Sequence, residues 1–219
     1  MDKIEELFKM LDDWRKLPAY QLERRADIFF ALYLKEILGE SQGTSNDLII
    51  IPEFPLISKG NHTNKVDYFV WDRIKNKTYL IELKTDKKSV NKKQINYLMM
   101  ASKKSPIDLL MAIEKVAISK NADAKYKGLF KYLKKHQVLD YEGDLPGKWK
   151  SHWKTLINNY KRNFTIINVN HNQVIYILPK EDHKIPKEMI QIDFLKIEKY
   201  ISNKDEIANL FCKSLRDWI

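Results

Sequence analysis

The chain holds one cysteine, Cys212, among its 219 residues. That excludes an intrachain disulfide and any cysteine-held metal cluster. Six glycines and seven prolines are too few for a collagen-like or low-complexity chain. With 44% apolar and 31% charged residues it is not expected to be disordered either. It lacks an apolar run of about 18 residues, so no membrane-spanning helix is expected. Met1-Asp2-Lys3-Ile4-Glu5-Glu6 is charged with no apolar stretch after it. No secretory signal is therefore expected, and the default compartment is the cytoplasm. Also missing are a P-loop, a G-x-G-x-x-G turn, a G-x-S-x-G elbow and an H-E-x-x-H pair, which argues against ATPase, dehydrogenase, hydrolase-fold and zincin readings. His62, His136, His152, His171 and His183 show no metal-ligand spacing. The length fits one domain.

What the chain has in excess is positive charge: 39 Lys and Arg against 29 Asp and Glu, a net +10. Between Ser58 and Lys104 twelve basic residues face only four acids (Asp67, Asp72, Glu82, Asp86). Such a stretch attracts polyanions, nucleic acid before others, although a solvated lysine surface has the same composition.

Hydrophobic periodicity divides the chain. Ile4, Leu7, Phe8, Leu11 and Trp14 recur at helical spacing, predicting a helix over 3–16. A second helix is expected from Pro18, with Leu22, Ala26, Phe29, Tyr33 and Ile37 as its stripe and Gly39 as its end. Strands are expected at 48–57, 65–71 and 78–85, the last two joined by a hairpin loop at 72–77. Helices are expected at 89–103, from Ser105-Pro106 onward, at 125–136, at 148–160 and at 203–218. Two further strands, 164–168 and 173–178, are expected around a tight turn at 170–172. Residues 105–160 read as a helical insertion or addition, with a turn at Gly143–Gly147.

Alternation along the two hairpin strands carries the chemistry. Val66, Tyr68 and Val70 share one face, as do Tyr79, Ile81 and Leu83, and these faces are expected to form the core. Asp67, Phe69 and Trp71 then share the other face with Leu80, Glu82 and Lys84, so Phe69 and Trp71 are expected to wall the site. A loop centred on Lys75-Asn76 sets Asp67 opposite Lys84, with Glu82 on the diagonal. Two carboxylates and an ammonium among apolar strands have two explanations. One is a structural salt bridge. The other is an oxygen-ligand site for Mg²⁺, with Mn²⁺ as substitute, where the metal removes the repulsion between carboxylates.

Asp67 and Glu82-Leu83-Lys84, with fourteen residues between Asp67 and Glu82, resemble the signature of the PD-(D/E)XK nuclease superfamily. That superfamily includes type II restriction enzymes, RecB-type exonucleases and Holliday-junction resolvases. The resemblance covers roughly residues 18–104 and the strand near 164–169. It implies an α/β, restriction-endonuclease-like αβββαβ core, a mixed central sheet flanked by helices, with a mainly helical addition. It also implies a metal held by Asp67, Glu82 and the main-chain carbonyl of Leu83, with Lys84 assisting. Many members carry a glutamate on the first core helix, which maps onto Glu23; Glu53 competes for that role. Gln94 corresponds to the glutamine that RecB-like members place on the next helix, with Tyr97 three residues on where four is commoner. The motif's proline position is Val66. Beyond Met111 nothing matches.

The implied activity is metal-dependent hydrolysis of nucleic-acid phosphodiesters, DNA foremost, with Lys65, Lys87, Lys88, Lys92 and Lys93 meeting the phosphate backbone. The alternatives are a catalytically silent nucleic-acid-binding module, or a defence or restriction effector active only with a partner subunit; a homodimer is also open. Tyr126, Phe130, Tyr132, Trp149, Trp153 and Tyr160 are read as core aromatics rather than base-stacking ones. Cys212 is read as a buried small hydrophobe.

Overall fold

Runs of β-branched and aromatic residues form a single twisted layer in the computed structural model, which describes residues 2–57, 63–119, 123–138 and 171–219. The strands are β1 (Leu48–Ile57), β2 (Thr63–Asp72), β3 (Lys77–Leu83), β4 (Gln173–Leu178) and β5 (Ile190–Asp193). They lie in the order β1-β2-β3-β4-β5. β1, β2 and β3 form an antiparallel meander, while β4 runs parallel to β3 and β5 parallel to β4. The helices are α1 (Lys3–Trp14), α2 (Leu22–Leu32), α3 (Leu34–Gln42), α4 (Lys92–Ser102), α5 (Pro106–Ser119), α6 (Asp123–Lys135), α7 (Phe194–Ile201) and α8 (Glu206–Asp217). The protein is thus α/β, a five-stranded mixed open sheet flanked by helices. No described helix is long and apolar enough to cross a membrane.

Both faces of the sheet are covered, as expected where parallel strands are present. One face buries Tyr68, Val70, Tyr79, Ile81 and Leu83 against Phe8, Phe30, Ile37, Phe194, Phe211 and Leu215 of α1, α2, α3, α7 and α8. Phe211 is the hub, with ring centroids 4.9 Å from Phe30 and 5.6 Å from Phe29. The opposite face buries Phe69, Trp71, Leu80 and Tyr176 against Ile95, Leu98, Leu109, Ile113, Phe130 and Leu133 of α4, α5 and α6. Phe69 and Trp71 therefore do not wall the site. They share the face of Leu80, but that face is packed under α4, α5 and α6. Tyr126 and Phe130 are buried in the same core. The expected elements at 148–160 and 164–168, the turn at 143–147 and the aromatics Trp149, Trp153 and Tyr160 lie outside the described residues.

The expected helix from Pro18 to Gly39 is two helices. Pro18 and left-handed Ala19 lie in the connection before α2. The break falls at Tyr33, whose hydroxyl donates to Asp205 Oδ1 at 2.6 Å. Asp205 also accepts from the Ala208 amide as the N-cap of α8. Gly43, at φ 60°, ends α3 where Gly39 was expected to. β5 and α7, over residues 190–201, match no expected element.

The hairpin register differs from the expectation by two residues: Tyr68 pairs with Ile81 and Asp72 with Lys77. One step further along that register, Asp67 faces Glu82 rather than Lys84. The cause is Asp72, which is completely buried. It accepts bonds from the Ser45 amide (2.7 Å), the Ser45 hydroxyl (2.6 Å) and the Lys75 amide (2.9 Å). These bonds fix a four-residue loop, Arg73–Asn76, with Asn76 left-handed at φ 49°. Parity survives a shift of two, so the faces assigned to Glu82 and Lys84 stand.

Val66 is the exception on β2. It lies in the cluster with Phe69 and Trp71, not with Tyr68 and Val70. On β1, Ile49 and Ile51 share a face with Phe54 and Leu56. Inward parity therefore flips on both strands at one level. There the Glu53–Asp67 pair is missing from the ladder and Glu53 is left-handed at φ 51°. The flip turns the strands about their axes beside Asp67.

Burial raises the Asp72 pKa, but the Lys75 and Ser45 bonds outweigh it and leave it lowered. Its contribution to stability is therefore present above the unfolded pKa of 3.8 and is lost as pH falls through the folded value. Replacing Asp72 with Ala at neutral pH leaves three donors without their acceptor. It is expected to cost about 2–4 kcal/mol, measured by urea unfolding.

Candidate metal centre

Glu82 lies near the end of β3, with 3% of its side chain exposed, and Lys84 follows the strand with 6% exposed. Asp67 reaches them from β2 and Glu23 from the first turn of α2. Tyr68 sets the position of α2, since its hydroxyl donates to the Asp27 carbonyl at 2.7 Å. Asp27 stands one helical turn beyond Glu23, so this bond holds the N-terminal turn of α2 over the rim of the sheet.

One carboxylate oxygen each of Glu23, Asp67 and Glu82 lies within 4.8 Å of the others. Lys84 Nζ sits 2.7 Å from Glu82 Oε1 and 3.2 Å from Glu23 Oε1. Asp67 Oδ2 accepts from the Leu83 amide at 2.6 Å. In an antiparallel pair the N–H and C=O of one residue point to the same neighbour, so the Leu83 carbonyl is directed toward β2 as well. Gln94 Nε2 donates to Glu82 Oε1, and the Gln94 amide is fixed by Asn91, the N-cap of α4, at 2.9 Å. Glu82 Oε2, Gln94 Oε1 and the hydroxyl of Tyr176 are buried with no hydrogen-bond partner.

Five expected residues, Asp67, Glu82, Lys84, Glu23 and Gln94, thus meet in one place, with the Leu83 main chain beside them. They line a cavity of about 390 Å³. Glu53 stands apart from the carboxylate cluster, paired with Lys65 at a half-exposed position. Lys65 borders the cavity. Lys88 is exposed after β3, and Lys92 and Lys93 are exposed in the first turn of α4. The Lys87 main chain lies in a single 3-10 turn, Lys87–Ser89. Tyr97 lines the cavity and donates to the Lys65 carbonyl at 3.1 Å. His136 packs at a tilt on Tyr132 with centroids 4.3 Å apart, and Cys212 is buried. His62 and His152 lie outside the described residues.

Two contributors were not read from the sequence. Tyr176 pairs in parallel register with Glu82; only the placement of β4 beside β3 brings it there. The Thr85 amide donates to the Glu23 carboxylate, a main-chain contribution with no side-chain signature.

Electrostatics follow from burial. Desolvation pushes the Glu82 pKa up from 4.5 to about 8, and Asp67 beside it adds to the rise against the opposing pull of Lys84. Desolvation also raises Asp67 and Glu23 above the usual carboxylate range. Burial alone would lower Lys84, but Glu82 and Glu23 outweigh it and leave its pKa raised. With all three carboxylates ionised and Lys84 protonated the cluster carries −3 + 1 = −2. An all-oxygen donor set, one unpartnered buried carboxylate oxygen and a deficit of two charges fit a small hard dication such as Mg²⁺ or Mn²⁺.

Comparison with models of known families, with curated proteins and with solved structures gives no match.

A raised carboxyl pKa favours the folded state at low pH and loses that advantage as pH climbs. Without metal, stability is therefore expected to fall from about pH 4.5 to about pH 8, the interval between the two Glu82 values. Glu82→Gln is expected to flatten that fall. Mg²⁺ is expected to raise the melting temperature of the wild type more at pH 8.5 than at pH 6 and to leave Glu82→Gln little changed. Thermal melts across pH, with and without Mg²⁺, measure both.

Proposed function

We propose that the protein is a divalent-cation-dependent phosphodiesterase that hydrolyses nucleic acid, DNA in the first instance. The observation that carries this reading is the meeting of Glu23, Asp67 and Glu82 around the buried Lys84, with Glu82 Oε2 unpartnered. The order of α2, the β1-β2-β3 meander, α4 and parallel β4 supports it. That is the element order of the PD-(D/E)XK core that the Asp67 and Glu82-Leu83-Lys84 spacing resembles, with β4 in the last place instead of the strand expected near 164–169.

On this reading Asp67, Glu82 and the Leu83 carbonyl hold Mg²⁺ or Mn²⁺, and Glu23 closes the cluster from α2. The ion, when bound, supplies Lewis acidity toward a phosphate oxygen and lowers the pKa of a coordinated water. Lys84 acts as a fixed cation: held protonated by Glu82 and Glu23, it stabilises the negative charge that builds on phosphorus in the transition state. Gln94 fixes the orientation of Glu82 through Oε1 and keeps its own Oε1 free to accept from water. The basic stretch around the cavity draws in the polyanion. Lys92 and Lys93 add their charge to the positive end of the α4 dipole, an arrangement that disfavours the isolated helix and favours a bound phosphate.

Plasmid and oligonucleotide substrates, DNA and RNA, incubated with Mg²⁺ or Mn²⁺ and with EDTA as control, test this. Cleavage is expected with metal only. Glu82→Gln and Lys84→Met are each expected to lower the rate by about 10²-fold or more while keeping the wild-type circular dichroism. Salt-sensitive binding without cleavage on any substrate would replace the proposal with a silent nucleic-acid-binding module.

A further inference from the structure

α1 and α2 each bury one face in the core and leave a second apolar face in water. On α1, Leu7, Met10 and Trp14 recur at intervals of three and four, which lines them up along one side of the helix. All three are exposed. On α2, Ile28 is 65% exposed and Leu32, one turn on, 55%. Ten large apolar side chains are exposed among the described residues. These five, with Leu17 in the turn after α1, make up six of the ten, so the exposure is concentrated rather than scattered. Leu7, Met10, Trp14 and Ile28 border one groove of about 460 Å³, which the buried Leu11 and half-buried Phe29 also line. Tyr20 closes one end against Trp14, with ring centroids 6.2 Å apart.

The two helices carry opposite charge at this face. α1 holds four acids against two lysines, a net −2. Glu6 and Asp13 are exposed and seven residues apart, hence on one edge of the helix. Glu6 is engaged only by Lys3 in an exposed pair, which holds it weakly. On α2 the exposed charges are Arg24 and Arg25, since Glu23 is paired with Lys84 and Asp27 lines the metal-centre cavity. Arg25 borders the groove. Among the described residues neither Arg25 nor Asp13 has an ion-pair partner. An apolar stripe with an acidic edge and an apolar stripe headed by an arginine, on one surface, complete each other when a second copy is turned over onto the first. The same charges disfavour other occupants. A helix that lies on a membrane carries Lys and Arg on its polar face, and the acidic edge of α1 repels nucleic acid.

We propose that this face joins two copies of the chain about a two-fold axis, with α1 of each lying along α2 of the other. Leu7, Met10 and Trp14 of one copy cover Ile28 and Leu32 of the other, and Arg25 of each meets the Glu6 and Asp13 edge. The proposal is independent of the nuclease reading, because none of these contacts uses a side chain of the metal centre.

The test is sedimentation velocity of the full chain in EDTA. The net charge of +10 repels two copies at long range, so the runs are made at about 0.15 M salt, where that repulsion is screened within about 8 Å. A dimer is expected to assemble between about 1 and 100 µM. Met10→Glu and Ile28→Glu, at exposed positions, are each expected to give a monomer throughout that range with unchanged circular dichroism. Arg25→Glu alone, and Glu6→Arg with Asp13→Arg in one chain, are each expected to weaken the dimer about tenfold or more. Mixing these two variants restores opposite charges at both contacts and is expected to return the wild-type affinity, which pairing within one chain does not do. A wild type that stays monomeric leaves the groove to a partner of another sequence and overturns the proposal. So do dimers indifferent to Met10→Glu and Ile28→Glu, or charge variants that fail to pair when mixed.

Discussion

Three carboxylates cannot share a buried corner of a protein unless positive charge is there to meet them. Lys84 supplies one unit, 2.7 Å from Glu82 and 3.2 Å from Glu23. That is not enough, and the remainder is carried as a raised proton affinity, largest at Glu82. A corner built only for stability would not need this surplus. Burying an ion pair already costs several kcal/mol of desolvation, and an additional carboxylate adds repulsion to that cost. The hydrocarbon around it is otherwise well packed: Leu83, Tyr176 and Val66 are all essentially inaccessible. The instability is local, paid for by the two cores on either side of the sheet.

Those cores also dictate where the cluster can be. Helices cover both faces of β2 and β3, so a charged group pointing off either face at mid-strand would be sealed in. Where the strands run out, as they do toward α2 and α4, side chains can reach water. The loss of the Glu53–Asp67 pair from the β1–β2 ladder falls at that level. The parity flip lets Asp67 swing toward Glu82 while Val66 fills the hydrocarbon on the other side. The Tyr68 bond to Asp27 and the Asn91 cap of α4 then bring Glu23 and Gln94 over the same rim.

The legibility of this arrangement in the sequence follows from what each feature depends on. Asp67, Glu82 and Lys84 could be grouped because side-chain direction alternates with a period of two whatever the register. The register could not be read, because it is set by a bond network between Asp72 and Ser45, 27 positions away in sequence. Phe69 and Trp71 were misplaced for a related reason: alternation says which residues share a face, not whether that face meets solvent or another helix layer. Glu23 is legible although the expected helix is too long, since the break at Tyr33 depends on Asp205, 172 positions away in sequence. The helix over 194–201 was within reach: Phe194, Ile197 and Ile201 recur at helical spacing and are all buried. β5, only four residues long, left too little pattern to find.

The charge map also bears on the order in which a polyanion and a cation could occupy the cleft. At long range the protein is positive, +10 over its length, and on the proposed reading that field, which salt screens, draws a nucleic-acid strand toward it. At contact range the sign reverses, because Glu23 and Asp67 stand at the floor, joined by Glu82 as it loses its proton toward pH 8. On the proposed reading these two regimes make cation and strand binding interdependent. A phosphate near an uncompensated cluster is repelled, and a dication near an empty one lacks the ligands that a phosphate adds. Such coupling is reciprocal by thermodynamic necessity: whatever factor the metal contributes to strand affinity, the strand contributes to metal affinity. Lys84 sets the size of that factor, since its charge softens the floor for the phosphate and competes with the dication for the same carboxylates. A neutral residue there would bind metal more tightly and a metal-free strand less tightly, which separates its electrostatic role from any role in holding the fold.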